Sequence, residues 1–404
     1  MSRFSERGQA AAAAILNSEE GKKLIDQDKA TRNELHFSKA VDILQPVKPQ
    51  IKPLEVFTAN QISESDATPP PFVIDGLLPA GMTVFAAPPK TGKSWFCMDM
   101  ACAIAEGKPF WGRRTTPGDV LYLDLESRNY RVKERLQKTN LHAPHNLYFT
   151  FKAASLDAGL LEQLSTWKDQ HPNASTIIID TLGRVKGASK KNADAYSADT
   201  AALAPIQEWA LNNGIAVLCI THLKKAGSSR YAADADPFEM ITGSNGQFAV
   251  ADSAWIITGK RDDVERHFLA NGRDIEALDL TITFDRSAFR WKCLGDTEQL
   301  NRDMARRHYQ QSPIVKTIVS MLASASASCI RLTASELCDA VAQKHGTAGC
   351  TPIEMGRKLS QLSEQLYAYD KIVYEPPASG GRSGRLHSFK YEKQQPITTE
   401  QTTL

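Results

Sequence analysis

Short, almost continuously apolar runs recur along the chain at 83–87, 120–125, 147–151, 176–180, 215–221 and 254–258. They are rich in β-branched residues, and stretches of helical periodicity separate them. A strand without polar alternation is one buried on both faces, as in a parallel sheet covered by helices. The alternation therefore predicts an α/β fold with a mainly parallel sheet and right-handed crossovers. Two further runs, 278–284 and 289–293, flank Asp285, Arg286 and Ser287 and predict an antiparallel hairpin closing one sheet edge.

Beyond residue 312 the pattern changes. Apolar positions at helical spacing fill 314–322. Thr333 and Glu336 form a capping-box signature that opens a second helix running to 344, and Thr351 with Glu354 opens a third running to 366. Runs at 372–374 and 385–389, separated by a Pro- and Gly-rich turn, read as a two-stranded wing. Helices followed by such a hairpin are the layout of a winged-helix domain.

The N-terminal residues 1–55 are polar and mixed, with a helix expected near 6–16 and a proline-spaced extended linker at 46–53. This arm is expected either to pack poorly or to dock on a neighbouring subunit. The expected organisation is an arm at 1–55, a core at 56–297, a linker at 298–311, a winged-helix-like domain at 312–392 and a disordered tail at 393–404.

Composition narrows the class only a little. A chain of 404 residues, 42% hydrophobic and 23% charged, has the profile of an ordinary globular protein. A net charge of +2 gives no global attraction to nucleic acid, so any basic surface must be local. The seven cysteines lie mostly in apolar runs without C-x-x-C spacing and read as reduced core residues. No stretch approaches the roughly 20 apolar residues of a membrane helix, and the N-terminus lacks a signal peptide's apolar core. A cytoplasmic location without membrane contact is expected.

The most specific chemistry sits at 87–94. Ala87, Pro88, Pro89, Lys90, Thr91, Gly92, Lys93 and Ser94 follow a strand and open a helix, in the pattern of a phosphate-binding loop whose first glycine is replaced by alanine. Amides from Thr91 to Ser94, backed by the helix dipole, would face phosphate. Proline lacks an N–H, but Pro88 and Pro89 precede these donors. Ala87 would cost about 1–2 kcal/mol if its backbone had to be left-handed, and nothing if it left the strand with ordinary angles. The loop predicts ATP with Mg²⁺ as cofactors, bound at 87–94 and Trp95. Lys93 would reach the β- and γ-phosphates, and Ser94 would ligate the metal.

Other strands end in matching chemistry. Asp180 closes the apolar strand 176–180, either as a second metal ligand or as a loop cap. Glu126 follows the strand at 120–125, either orienting the attacking water as general base or standing as a solvated charge; Asp124 is its competitor inside the strand. His222 ends the run 215–221, as a γ-phosphate sensor or a structural histidine.

Taken in order, I-D-G-L-L-P-A-G (74–81), A-P-P-K-T-G-K-S (87–94), A-E-G-K-P-F-W-G-R (105–113), G-D-V-L-Y-L-D-L-E-S (118–127), I-I-I-D (177–180) and C-I-T-H-L-K-K (219–225) resemble the RecA-like P-loop ATPases of the plasmid RepA helicase type. The resemblance covers 56–295. It implies a ring, usually a hexamer, with ATP between subunits, Glu126 as catalytic glutamate and His222 as sensor. It also implies an arginine acting in trans, for which Arg273 stands first and Arg261 and Lys260 second; the alternative for Arg273 is a plain surface residue.

Two stretches follow strands that point to the ring's centre in such proteins. One carries Lys186, Lys190 and Lys191; the other carries Lys224, Lys225 and Arg230, with Tyr231 as an aromatic platform. They are either a single-stranded DNA channel or solvated loops. In the last domain, Arg357, Lys358, Arg382 and Arg385 would face duplex DNA, unless the domain docks a protein. The reading that best joins these features is a DNA-dependent ring ATPase, a replicative-type helicase of a plasmid, phage or mobile element. The alternatives are an ATP-gated DNA-binding regulator and a nucleotide-switched assembly scaffold.

Overall fold

The computed structural model describes residues 54–139, 141, 143–187, 195–223, 236–241, 246–260, 262–325, 329–377 and 385–392, together with 18, 19, 22 and 23. The expected helix at 6–16, the proline linker at 46–53 and the tail at 393–404 lie outside them. The chain divides into a unit spanning 1–68 and a unit spanning 69–404.

In the first unit a short helix, α1 (Ala59–Ser63), opens on a capping box. Thr58 accepts from the Gln61 amide while the Gln61 side chain accepts from the Thr58 amide. Leu54, Val56, Phe57 and Ile62 are exposed.

The second unit begins with a small antiparallel pair, β1 (Phe72–Ile74) and β2 (Leu78–Pro79). Then β3 (Gly81–Ala87) leads into α2 (Lys93–Glu106), β4 (Asp119–Asp124), α3 (Asn129–Thr139) and β5 (Leu147–Thr150). The chain continues through α4 (Leu160–Gln170), β6 (Ala174–Asp180), α5 (Leu182–Val185), α6 (Ala195–Asn213) and β7 (Ala216–His222). After α7 (Gly246–Val250) come β8 (Ser253–Thr258), β9 (Glu265–Gly272), β10 (Leu278–Asp285) and β11 (Arg290–Asp296). All these strands from β3 onward form one nine-stranded sheet of order β11-β10-β9-β8-β3-β7-β6-β4-β5. The six strands from β8 to β5 run parallel, and β9 to β11 extend the sheet antiparallel.

The apolar runs explain this layering. Alternate side chains of each central strand enter opposite cores. Phe85, Ile178, Leu218 and Ile220 join the core under α2, whereas Val84, Ile177, Ile179, Val217 and Cys219 join the one under α4 and α6. Helices therefore cover both faces of a mostly parallel sheet, as the sequence pattern predicts. All seven cysteines are free thiols, four of them buried. No helix among the described residues is long and apolar enough to cross a membrane.

The strand β9 is not evident in the sequence, because only Phe268 and Ala270 of its eight residues are buried. Phe268 nevertheless stacks on Phe96 of α2 at 5.7 Å and meets Trp111 and Trp255 edge-on at 5.2 and 5.6 Å. The 298–311 stretch, expected as a linker, is a helix, α8 (Thr297–Gln311), N-capped by Asp296.

The remaining elements are α9 (Pro313–Ser324), β12 (Cys329–Thr333), α10 (Ala334–His345), α11 (Pro352–Asp370), β13 (Ile372–Glu375) and β14 (Leu386–Tyr391). Both expected capping boxes form, at Thr333 with Glu336 and at Thr351 with Glu354. The hairpin gains an unanticipated third strand, so the sheet order is β12-β14-β13. Leu337, Val341, Leu359, Leu366 and Phe389 fill a separate apolar core there.

Because Phe268 locks the antiparallel extension to α2, Phe268→Ala should lower the unfolding free energy by about 3–5 kcal/mol in urea denaturation. A loss under about 1 kcal/mol, the level of an average point mutation, would show that β9 is not part of this core.

Candidate functional site

Parallel registry brings the chemistry together. Ala87 at the end of β3 pairs with His222 at the end of β7, and Asp180 at the end of β6 pairs with Ile220 of β7 and with Asp124 of β4. The carboxyl ends of four neighbouring strands thus open at one mouth, where ligands bind in open parallel sheets.

The loop between β3 and α2 is shaped by two left-handed residues, Lys90 with φ 61° and Gly92 with φ 103°. Ala87 is not one of them and continues the strand, so the missing glycine costs no backbone strain. The left-handed cost of about 1–2 kcal/mol falls on Lys90 instead. Gly92 is the N-cap of α2, and no side chain caps that helix. The first amides of a helix have no intrahelical partner, so α2 presents donors and a positive dipole end at the mouth. Thr91 departs from expectation. Its amide donates to the Pro88 carbonyl at 3.3 Å and its hydroxyl to the same oxygen at 2.5 Å. The loop donors open to a ligand accordingly begin at Gly92.

Lys93 is buried, and its ammonium donates to the carbonyls of Ala87 at 3.0 Å and Pro88 at 3.4 Å. His222 Nδ1 lies 3.2 Å from the same nitrogen and fits as an acceptor. Burial lowers the Lys93 pKa, against the pull of Asp180 and Glu126. Burial also lowers that of His222, and the neighbouring Lys93 charge adds to the effect.

Ser94 Oγ donates to Asp180 Oδ2 at 3.1 Å, and the Tyr122 hydroxyl donates to the same oxygen at 3.0 Å. Burial raises the pKa of Asp180, while the Tyr122 and Ser94 hydrogen bonds oppose the rise. Among the described residues no cluster of three or more His, Cys, Asp or Glu could hold a metal alone. One hydroxyl and one carboxylate instead suit a hard cation such as Mg²⁺, which takes most ligands from phosphate and water. The donor set therefore fits a magnesium nucleotide and not a dedicated metal cage.

Glu126 is exposed at the mouth and accepts from the Thr181 hydroxyl at 3.1 Å. Asp124 is buried and otherwise engaged: it accepts from the Ser127 amide at 3.0 Å and pairs with Arg135 at 3.2 Å. Of the two carboxylates, only Glu126 is open to a ligand.

Ala87 to Trp95, Asp180, Glu126 and His222 are thus brought together. Arg273 is not. It follows β9 at the opposite end of the sheet, since Gly272 pairs with Ser253 and Ser253 with Thr83 near the start of β3. There its guanidinium pairs with buried Asp252 at 3.3 Å. Lys186 is drawn into an ion pair with buried Asp199. Lys190, Lys191, Lys224, Lys225, Arg230, Tyr231, Arg261 and Arg382 lie outside the described residues. Arg357, Lys358 and Arg385 are exposed.

Sequence reasoning missed Tyr122, Thr181 and Trp291. Tyr122 had a signal, being a hydroxyl among the apolar residues in the middle of its strand. Thr181 had one in directly following Asp180. Trp291, whose indole N–H donates to the Gly92 carbonyl at 3.3 Å, had none nearby in the chain.

Residues 48–228 of the 404 match the family model of the AAA domain. None of the curated proteins matches the chain. Solved structures similar to it include an ATPase domain at 14% identity and a TM-score of 0.43, covering 58% of this chain and 95% of that one. A DnaB-like replicative helicase, described with its interactions with primase, is 13% identical with a TM-score of 0.43, covering 72% of this chain and 76% of that one. A KaiC-like protein from Pyrococcus horikoshii OT3 is 13% identical with a TM-score of 0.36, covering 55% and 93%. Likeness this loose carries no functional inference.

Asp124→Asn should cost about 3–5 kcal/mol in chemical denaturation, because it leaves the Arg135 charge without its buried partner. Nucleotide affinity of the folded fraction should be unchanged, which would separate Asp124 from the residues at the mouth.

Proposed function

We propose that this chain is a RecA-like P-loop ATPase that binds Mg-ATP at residues 87–95 and hydrolyses it. The observation that carries the reading is the convergence of Lys93, the Ser94–Asp180 pair, Glu126 and His222 at one strand-end mouth, beside an uncapped helix N-terminus. The AAA-domain match over 48–228 supports it. ATP supplies the transferable phosphoryl group, and Mg²⁺ shields its charge. Lys93 neutralises the β- and γ-phosphates, and the amides from Gly92 to Ser94 hold them. Ser94 and Asp180 hold the metal. Glu126, aligned by Thr181, orients the attacking water, and His222 reports on the γ-phosphate from beside Lys93.

The finer reading is a ring-forming ATPase, hexameric by resemblance, that works on single-stranded DNA as a replicative-type helicase of a plasmid, phage or mobile element. Lys190, Lys191, Lys224, Lys225 and Arg230 would form its DNA channel, with Lys186 able to join them only by leaving Asp199. A trans-acting arginine would complete the site; Arg273 can serve only if a neighbouring subunit meets the far end of this sheet.

A second reading is favoured by the C-terminal elements. We read the order α9, β12, α10, α11, β13, β14 as a winged-helix layout, and α11 exposes Arg357 and Lys358. An ATP-gated regulator binding duplex DNA, or docking a protein, would use that face.

Turnover measured with and without DNA, alongside particle mass with ATP present, tests these readings. Single-stranded DNA should raise turnover severalfold, and Glu126→Gln should lower it by about 100-fold or more while ATP still binds. Absence of any hydrolysis refutes the ATPase reading. Hydrolysis indifferent to single strands, with site-selective protection of duplex, would favour the regulator.

A further inference from the structure

The hairpin formed by β10 and β11 touches α2 at three points. The Phe289 ring packs on Trp95 at 5.1 Å, Arg290 pairs with Asp99 at 2.5 Å, and the Trp291 indole N–H donates to the Gly92 carbonyl at 3.3 Å. The first two contacts tie side chains together. The third lands on the backbone of the phosphate loop itself.

A peptide unit is planar, so the Gly92 carbonyl and the Lys93 N–H point in opposite directions on one rigid plate. Holding the carbonyl on one side aims the amide to the other, into the mouth. The plate needs holding, because it follows a glycine in the left-handed region, which crosses between backbone conformations at little cost. No side chain caps α2 at this point. The Gly92 carbonyl already accepts the amides of Trp95 and Phe96, each at 3.1 Å, and the indole adds a donor from outside the helix.

Trp291 is well placed for such a task. It is 3% exposed. Its own carbonyl accepts the Trp111 indole N–H at 2.9 Å, Phe284 meets its ring at 5.3 Å, and the Arg266 guanidinium lies 5.7 Å over it. The approach to the loop is close: a Cβ added at Gly92 would sit 3.3 Å from Trp291 Nε1.

We propose that Trp291 is a positioning residue for phosphate binding, acting through the Gly92–Lys93 peptide to aim the Lys93 amide at the nucleotide. This rests on the reading of the loop as an ATP site.

The test is equilibrium dialysis of the full chain with radiolabelled ATP and Mg²⁺. Trp291→Phe keeps a ring and removes the N–H; it should raise the Kd about fivefold, the usual worth of one hydrogen bond. Trp209→Phe removes an indole N–H that Ser165 accepts at 2.8 Å in the core under α4 and α6, away from the loop; it should leave the Kd within about twofold while lowering the melting temperature comparably. Should Trp291→Phe misfold, 3-benzothienylalanine installed at 291 by nonsense suppression keeps the shape of indole and lacks only the N–H. Unchanged affinity in the folded 291 variants, or equal weakening by Trp209→Phe, would overturn the proposal. Wild-type protein that binds no ATP, and is no different as Lys93→Ala, would instead remove the ATP site on which it rests.

Discussion

A buried ammonium is among the most expensive groups a fold can contain, and Lys93 is buried at the mouth of this sheet. It is tolerated because three elements end at the right height around it. The last carbonyl of β3, the next carbonyl of the loop and the terminal histidine of β7 all lie within 3.4 Å of its nitrogen. Asp180, on the strand beyond β7, adds its field without direct contact. Shifting any one of these registers would take a partner from the charge. The parallel pairing of β3, β7 and β6 therefore forms the binding site for the lysine as well as the core of the fold.

The central strands were legible in the sequence because their environment is uniform. Burial on both faces demands continuous apolar residues, and nothing else in the chain produces that pattern at such spacing. Two other strands were less so. β9 carries two buried residues, and β12 alternates too weakly to stand out. Both owe their existence to partners far along the chain: β9 to β8 and β10, β12 to β14. The helix α8 lacked a strong apolar stripe, burying only Thr297 and Tyr309, and so resembled a linker. By contrast, the capping boxes at Thr333 and Thr351 were readable to the residue, since their hydrogen bonds close within one turn.

At the mouth the same division holds. Lys93, Ser94, Asp180, Glu126 and His222 could be named because each stands at a strand end or within a motif whose chemistry is local. Glu126 was preferred to Asp124 on its place at the strand's C-terminal edge, and the tertiary structure adds that Arg135 takes Asp124 out of reach. Arg273, expected to act in trans, stands apart from this mouth. It lies after a strand, as a reaching arginine would, yet that strand is antiparallel and delivers it to the far end of the sheet.

The unusual composition of the phosphate loop follows from which backbone atoms each half uses. Its first half contributes acceptors: the Ala87 carbonyl holds Lys93, and the Pro88 carbonyl holds Lys93 and both donors of Thr91. Its second half contributes amides at the head of α2. Proline lacks a donor but keeps a full carbonyl. Two prolines in the accepting half therefore remove nothing that the loop employs, and the fixed φ of Pro88 steadies the carbonyl on which Thr91 and Lys93 converge. The left-handed turn that a first glycine would supply is made three residues later at Lys90, and again at Gly92. A substitution that looks like decay when the loop is compared position by position removes no donor or acceptor that the loop uses.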